Sequence, residues 1–183
     1  MDYENLLRQY RKSQITTLQQ LEKKPGFVKL DYTQEEIKKI IPHREPFLLI
    51  DRIIGVDLTK GQETIIGSRL ISRSDPVFQG HFPDYPIYPG SLQLEMSGQL
   101  GLCLTYFVIH DKTAIDKNTK AVSVRATKIY GALFLEPVFP DREVILISQK
   151  LEYNGYFGTV LSQVISDHKV CCASVAEVIF LDT

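Results

Sequence analysis

The chain has 183 residues, with 21 Lys and Arg against 22 Asp and Glu and a net charge of -1. Such a length buries a full core without a disulfide or metal staple, and 44% hydrophobic with 23% charged residues excludes wholesale disorder. The balanced charge leaves no electrostatic footprint for nucleic acid. Cys103, Cys171 and Cys172 lack C-x-x-C spacing and read as buried free thiols in a reducing compartment. MDYENLLRQYRK has no apolar signal-peptide core, so a cytoplasmic location is expected. Ser91 to Ile109 is apolar but interrupted by Gln93, Glu95, Ser97 and Gln99, which fits a buried helix and no membrane span.

In chain order, residues 1 to about 24 carry Leu6, Leu7, Tyr10, Leu18 and Leu21 on a loose apolar stripe that predicts a helix, broken at Pro25 and Gly26. This extension, 1–29, precedes a main domain, 30–183. Docking on that domain is the favoured role of the extension, against packing on another subunit or staying free. Thr33 and Glu36 have capping-box spacing for a short helix ending at Pro42. PFLLIDRIIGVDL and ETIIGSRLI read as a hairpin. A loop rich in proline and glycine leads to the helix from about Ser91 to Ile109. AVSVRATKIY, REVILISQKLEY, FGTVLSQVIS and VCCASVAEVIF then read as antiparallel strands. A helix apolar almost all round must be enclosed, and a sheet is the only surface large enough. The expected class is α+β, with an antiparallel sheet wrapped round one long central helix.

Chemistry concentrates in Phe78 to Gln99. Four prolines and two glycines stiffen the loop that carries His81. Glu95 is the only charged residue between Ser91 and Ile109, and it shares a helix face with Leu92, Gln99, Leu102 and Tyr106. A carboxyl among apolar neighbours is expected to have a raised pKa and to donate a proton near neutrality, unless a sheet Arg or Lys neutralises it. Gln99 is placed to orient it. Gly90 opens the helix, where free N–H groups and the absence of a Cβ favour a developing oxyanion. Neither metal nor phosphate-loop patterns are present, so no cofactor is expected.

GHFPDYPIYPGSLQLE closely resembles the active-site segment of the 3-hydroxyacyl-acyl carrier protein dehydratases of the hot-dog fold. IPHREPFLLIDRI resembles the same family's N-terminal signature, and LFLEPVFPDREV, more weakly, a later strand-turn-strand segment. The resemblance implies a double hot-dog homodimer, leaves a trimer of dimers open, and implies acyl carrier protein as the partner that delivers substrate. It matches His81 to the catalytic histidine and Glu95, fourteen positions later, to the acidic partner supplied by the opposite subunit. Gly90 matches the glycine whose N–H polarises the thioester carbonyl. Gln99 matches a glutamine near the acid, and Ser91 follows at the substrate-binding helix start. His43 and Arg44 match the signature in a supporting role. Glu at position 95 points to the dehydratase-only branch.

The chain departs from the family pattern at Asp84, at Met96, Ser97 and Gly98, at Leu135 and Glu136 where basic residues are frequent, and at Asp141 and Arg142. The loss of basic charge bears on carrier-protein docking. The implied reaction is reversible dehydration of a 3-hydroxyacyl thioester. A hot-dog thioesterase and a non-catalytic subunit of a dehydratase heterodimer are the alternatives.

Overall fold

The computed structural model describes residues 2–181. Its framework is a seven-stranded antiparallel sheet in the order β1-β2-β3-β5-β6-β7-β4. The strands are β1 Phe27–Thr33, β2 Arg52–Asp57, β3 Thr64–Ile71, β4 Val124–Phe134, β5 Arg142–Tyr153, β6 Phe157–Ser166 and β7 Lys169–Phe180. The helices are α1 Tyr3–Tyr10, α2 Leu18–Leu21, α3 Gln34–Ile40 and α4 Gly90–His110, with a 3-10 turn at Pro76–Gln79. Helix α4 lies against β3, β5, β6 and β7. This is the hot-dog fold, with the sheet curled round one central helix.

Burial explains why α4 needs no amphipathic pattern. Met96, Leu100, Cys103, Leu104, Tyr106 and Phe107 are all buried in one cluster with Ile53, Ile65, Leu146, Val164 and Cys172 from the sheet. Each such side chain contributes about 1.5–3 kcal/mol on leaving water. Gly101 lets the helix approach the sheet closely, because a Cβ there would lie 2.8 Å from Val160. Asp111 ends the helix in a left-handed cap with φ 46°. The three cysteines are free and buried. Among the described residues, no helix is long and apolar enough to cross a membrane.

The expected single N-terminal helix is instead two short ones. Thr17 accepts from the Gln20 N–H and closes a capping box with its side chain, which starts α2 afresh after a non-helical stretch. This arm docks on the outer face of its own sheet. Leu7 packs with Leu161, Val170, Ala173 and Val175, and Leu21 with Ile66, Ile147 and Ile165. The sheet centre is therefore buried on both faces, and β6 is buried at every residue after Phe157.

Strand β1 is an element the sequence reading lacked, although Val28, Leu30 and Tyr32 alternate with polar residues. The expected first hairpin strand shortens to Arg52–Asp57, and the backbone of Phe47 and Leu49 before it bonds to Gln99 of α4. The capping box of α3 forms as expected, with Thr33 and Glu36 satisfying each other's backbone N–H groups. The unusual Asp141–Arg142 turn is held by Asp141 at φ 62°, whose carboxylate accepts from the Arg73 backbone N–H and from its Nε at 2.8 Å.

Gln163, fully buried on β6, anchors the arm. Its Oε1 accepts from the Ile15 N–H at 2.7 Å, and its Nε2 donates to the carbonyls of Tyr10 and Ser13 at 2.8 and 2.9 Å. Gln163→Leu strands these backbone groups. It is expected to lower stability by about 2 kcal/mol in urea unfolding and to speed proteolysis between α1 and α2.

Candidate active site

The loop before α4 is closed on itself. Asp75 accepts from the Val77 N–H at 3.2 Å to start the 3-10 turn, and the His81 N–H then donates to the Val77 carbonyl at 3.0 Å. Phe82 and Tyr85 exchange backbone hydrogen bonds, and the Tyr88 N–H donates to Val138 at 2.7 Å. The His81–Phe82 peptide is cis.

His81 is clamped twice to Ile87. Its carbonyl accepts from the Ile87 N–H at 3.2 Å, and its Nδ1 lies 2.9 Å from the Ile87 carbonyl oxygen. A carbonyl can only accept, so Nδ1 carries the hydrogen and the neutral ring's lone pair sits on Nε2. The backbone alone thus sets the tautomer a general base requires.

A cavity of about 620 Å³ opens beside this ring, lined by His81, Ile87, Tyr88, Pro89, Gly90, Ser91, Gln93 and residues 134–137. Pro89 caps α4 without a side-chain hydrogen bond, so the first helical N–H groups face the cavity end of the helix. A Cβ on Gly90 would meet the Phe134 ring at 2.7 Å, so only glycine fits under that ring. Ser91 is exposed at the rim with Leu135 and Glu136. Burial holds the Tyr88 phenol at about 12, so it stays protonated. In a second cavity, lined by Lys60, Lys150, Glu152 and Glu177 among others, Lys150 pairs with Glu63, and Glu177 accepts from Thr127 and Tyr130.

Glu95 is not among the residues lining this cavity. It lies two residues beyond the floor residue Gln93, a spacing that puts those two side chains on roughly opposite sides of a helix. Its carboxylate accepts from Gln99 Nε2 at 2.9 Å and meets His43 Nε2 at 3.4 Å. Gln99, fully buried, also donates to the Phe47 carbonyl at 2.8 Å and accepts from the Leu49 N–H at 2.7 Å. It therefore welds α4 to the segment carrying His43, and its polar atoms are taken by protein partners. Arg44 bonds instead to the carbonyls of Ile41 and His43, bracing the chain behind His43.

The expected rise in the Glu95 pKa is not found in the single chain. The hydrogen bond from His43 leads, with Gln99 adding to it, and together they outweigh burial and hold the carboxyl below its ordinary range. No sheet Arg or Lys is involved; the direct contact with His43 is the feature that sequence reasoning missed. The His-Arg pair of the signature was its only trace. Among the described residues, no group of three or more His, Cys, Asp or Glu side chains is placed to hold a metal ion.

A lowered carboxyl pKa contributes stability that is present above the ordinary carboxylate range and is lost as pH falls through the lowered value. His43→Leu removes the leading cause. The Glu95 carboxyl signal followed by NMR titration is expected to move to higher pH, and the stability gained between acid and neutral pH is expected to shrink.

Residues 41–173 match the FabA-like domain family. The chain is 46% identical over 105 residues to the 3-hydroxyacyl-[acyl-carrier-protein] dehydratase FabZ of Campylobacter lari, covering 57% of this chain and 67% of that one. It is 35% identical over 147 residues to the FabZ of Sulfurovum sp., covering 80% and 95%. Among solved structures, the dehydratase heterocomplex ApeI:P from Xenorhabdus doucetiae superimposes with a TM-score of 0.63 at 11% identity, over 80% of this chain and 91% of that one, a likeness of fold. The match spans the His43 segment, the His81 loop and all of α4, and the chain belongs to the FabA-like domain family.

Proposed function

We propose that the chain catalyses the reversible dehydration of (3R)-3-hydroxyacyl thioesters, delivered on acyl carrier protein, to trans-2-enoyl thioesters in fatty-acid or polyketide-like biosynthesis. The observation that carries this reading is the shared cavity of His81 and the Gly90 helix start. A base with its free lone pair on Nε2 stands beside N–H donors suited to a thioester oxygen. The Gly90 N–H polarises the carbonyl, and His81 takes the α-proton as negative charge gathers on that oxygen. The carbon–oxygen bond at the β-carbon then breaks, and the hydroxyl leaves as water with a proton from Glu95. His81 and Glu95 regain their starting protonation states through solvent.

Because Glu95 faces away from its own His81, the complete site is composite. Each His81 works with the Glu95 of a second copy in a homodimer. Two features favour such pairing. Strand β4 is a sheet edge bonded only to β7, with Ile129 and Phe134 each 56% exposed. The uncovered side of α4 carries Ser91, Leu94, Glu95 and Gly98, and open space surrounds Gly98. Assembly also prepares the acid. The Glu95 side chain is 34% exposed in the single chain, and covering it adds desolvation that opposes the His43 and Gln99 bonds.

The test follows hydration of a trans-2-enoyl thioester and the mass of the assembly by light scattering. His81→Ala and Glu95→Gln are each expected to lose about 10²–10⁴-fold in rate. Mixing the two inactive variants under exchange conditions is expected to restore activity, because each mixed dimer regains one intact site. Full activity in either variant refutes the assignment. Release of free thiol without enoyl product supports a thioesterase instead. An inactive wild type rescued by a different hot-dog chain supports a heterodimer subunit.

A further inference from the structure

The cavity beside His81 grades from an exposed rim to a buried floor. Ser91, Phe134, Leu135, Glu136 and Pro137 form the rim, whereas Tyr88, Pro89 and Gln93 are buried. Gln93 is 3% exposed. Its Nε2 donates to the Tyr88 carbonyl at 3.3 Å. A carbonyl oxygen repels another oxygen, so this contact fixes which way the amide faces. The Gln93 backbone carbonyl is separately engaged by the Ser97 hydroxyl at 2.9 Å. The side-chain Oε1 is left over: it is buried and has no hydrogen-bond partner. A leucine or methionine would line the same floor without stranding an acceptor.

We propose that Gln93 Oε1 accepts a hydrogen bond from a donor on the substrate's acyl chain, beyond the β-carbon, so that the enzyme prefers acyl groups bearing a further hydroxyl or amide N–H over plain hydrocarbon chains. The inference rests on the dehydratase reading and names its substrate class. The position follows from depth. Gly90 and His81 hold the thioester carbonyl and the α-carbon, and Gln93 lies nearly one helical turn further along and below them. What reaches it is the part of the chain past the reacting carbons. Gln93 acts in specificity and moves no proton, and Oε1 can only accept, so a carboxylate or ketone cannot pair with that atom.

The experiment compares N-acetylcysteamine thioesters of 3-hydroxyoctanoate with the same thioesters carrying a second hydroxyl at successive positions down the chain. The full-length wild type is expected to favour at least one dihydroxy isomer by about tenfold or more in kcat/KM, since a site built to bond a donor discriminates against the analogue lacking it. Gln93→Leu is expected to lose that preference and to gain on the plain chain. Gln93→Met serves as a second variant of similar shape, with circular dichroism confirming its fold. Turnover of the plain thioester with equal or better efficiency than every dihydroxy isomer overturns the inference and leaves the dehydratase reading standing. Dehydration of none of them overturns both. An unchanged preference in both folded variants would assign the selectivity elsewhere and also overturn it.

Discussion

A carboxylate on the central apolar helix is the constraint round which the molecule is organised. Without partners, half-buried Glu95 would be desolvated with nothing to offset it, and its charged form would be disfavoured. The chain meets this with one fully buried amide, Gln99, which holds the carboxylate and two backbone groups of the Phe47–Leu49 segment together. That segment in turn presents His43 to the same carboxylate. Every polar atom of the Gln99 amide is paired, and the shape of the stretch before β2 follows from those bonds. Its strand-like composition loses to this demand.

The second organising fact is the division of labour between the two ends of α4's first turns. One side faces the cavity with His81; the other faces outward with Glu95. In the proposed mechanism the base and the acid of one chain therefore serve different substrates. The edge strand β4 and the uncovered side of α4 are the surfaces the proposed dimer would use. On that reading catalytic competence and assembly are the same event, and covering Glu95 raises its proton affinity.

Much of this was legible in the residues. The all-round apolar character of Ser91 to Ile109 required enclosure, and segments rich in β-branched residues between short turns supplied the sheet. The loop prolines marked His81, and the lone charge marked Glu95. What escaped had physical reasons. Thr17 reads as helix interior until its capping bond with Gln20 is seen. The continuous burial of β6 gives no face preference, because the arm's position on the outer face is a long-range fact. Strand β1 is half polar and mostly exposed, so it carries little of the apolar signal that marks a strand. The lowered pKa of Glu95 depended on a partner 52 positions away in sequence, a contact that helical spacing cannot reveal.

The double clamp between His81 and Ile87 has a wider meaning. In many catalytic histidines a carboxylate steers the ring, so replacing that acid changes both its orientation and its basicity. Here a peptide carbonyl does the steering, and no side-chain substitution can remove it. Evolutionary change therefore has little direct hold on the orientation of this ring. It acts instead across the helix, through the neighbours of the Glu95 carboxyl group, where single replacements shift affinity for hydrogen ions without turning the imidazole.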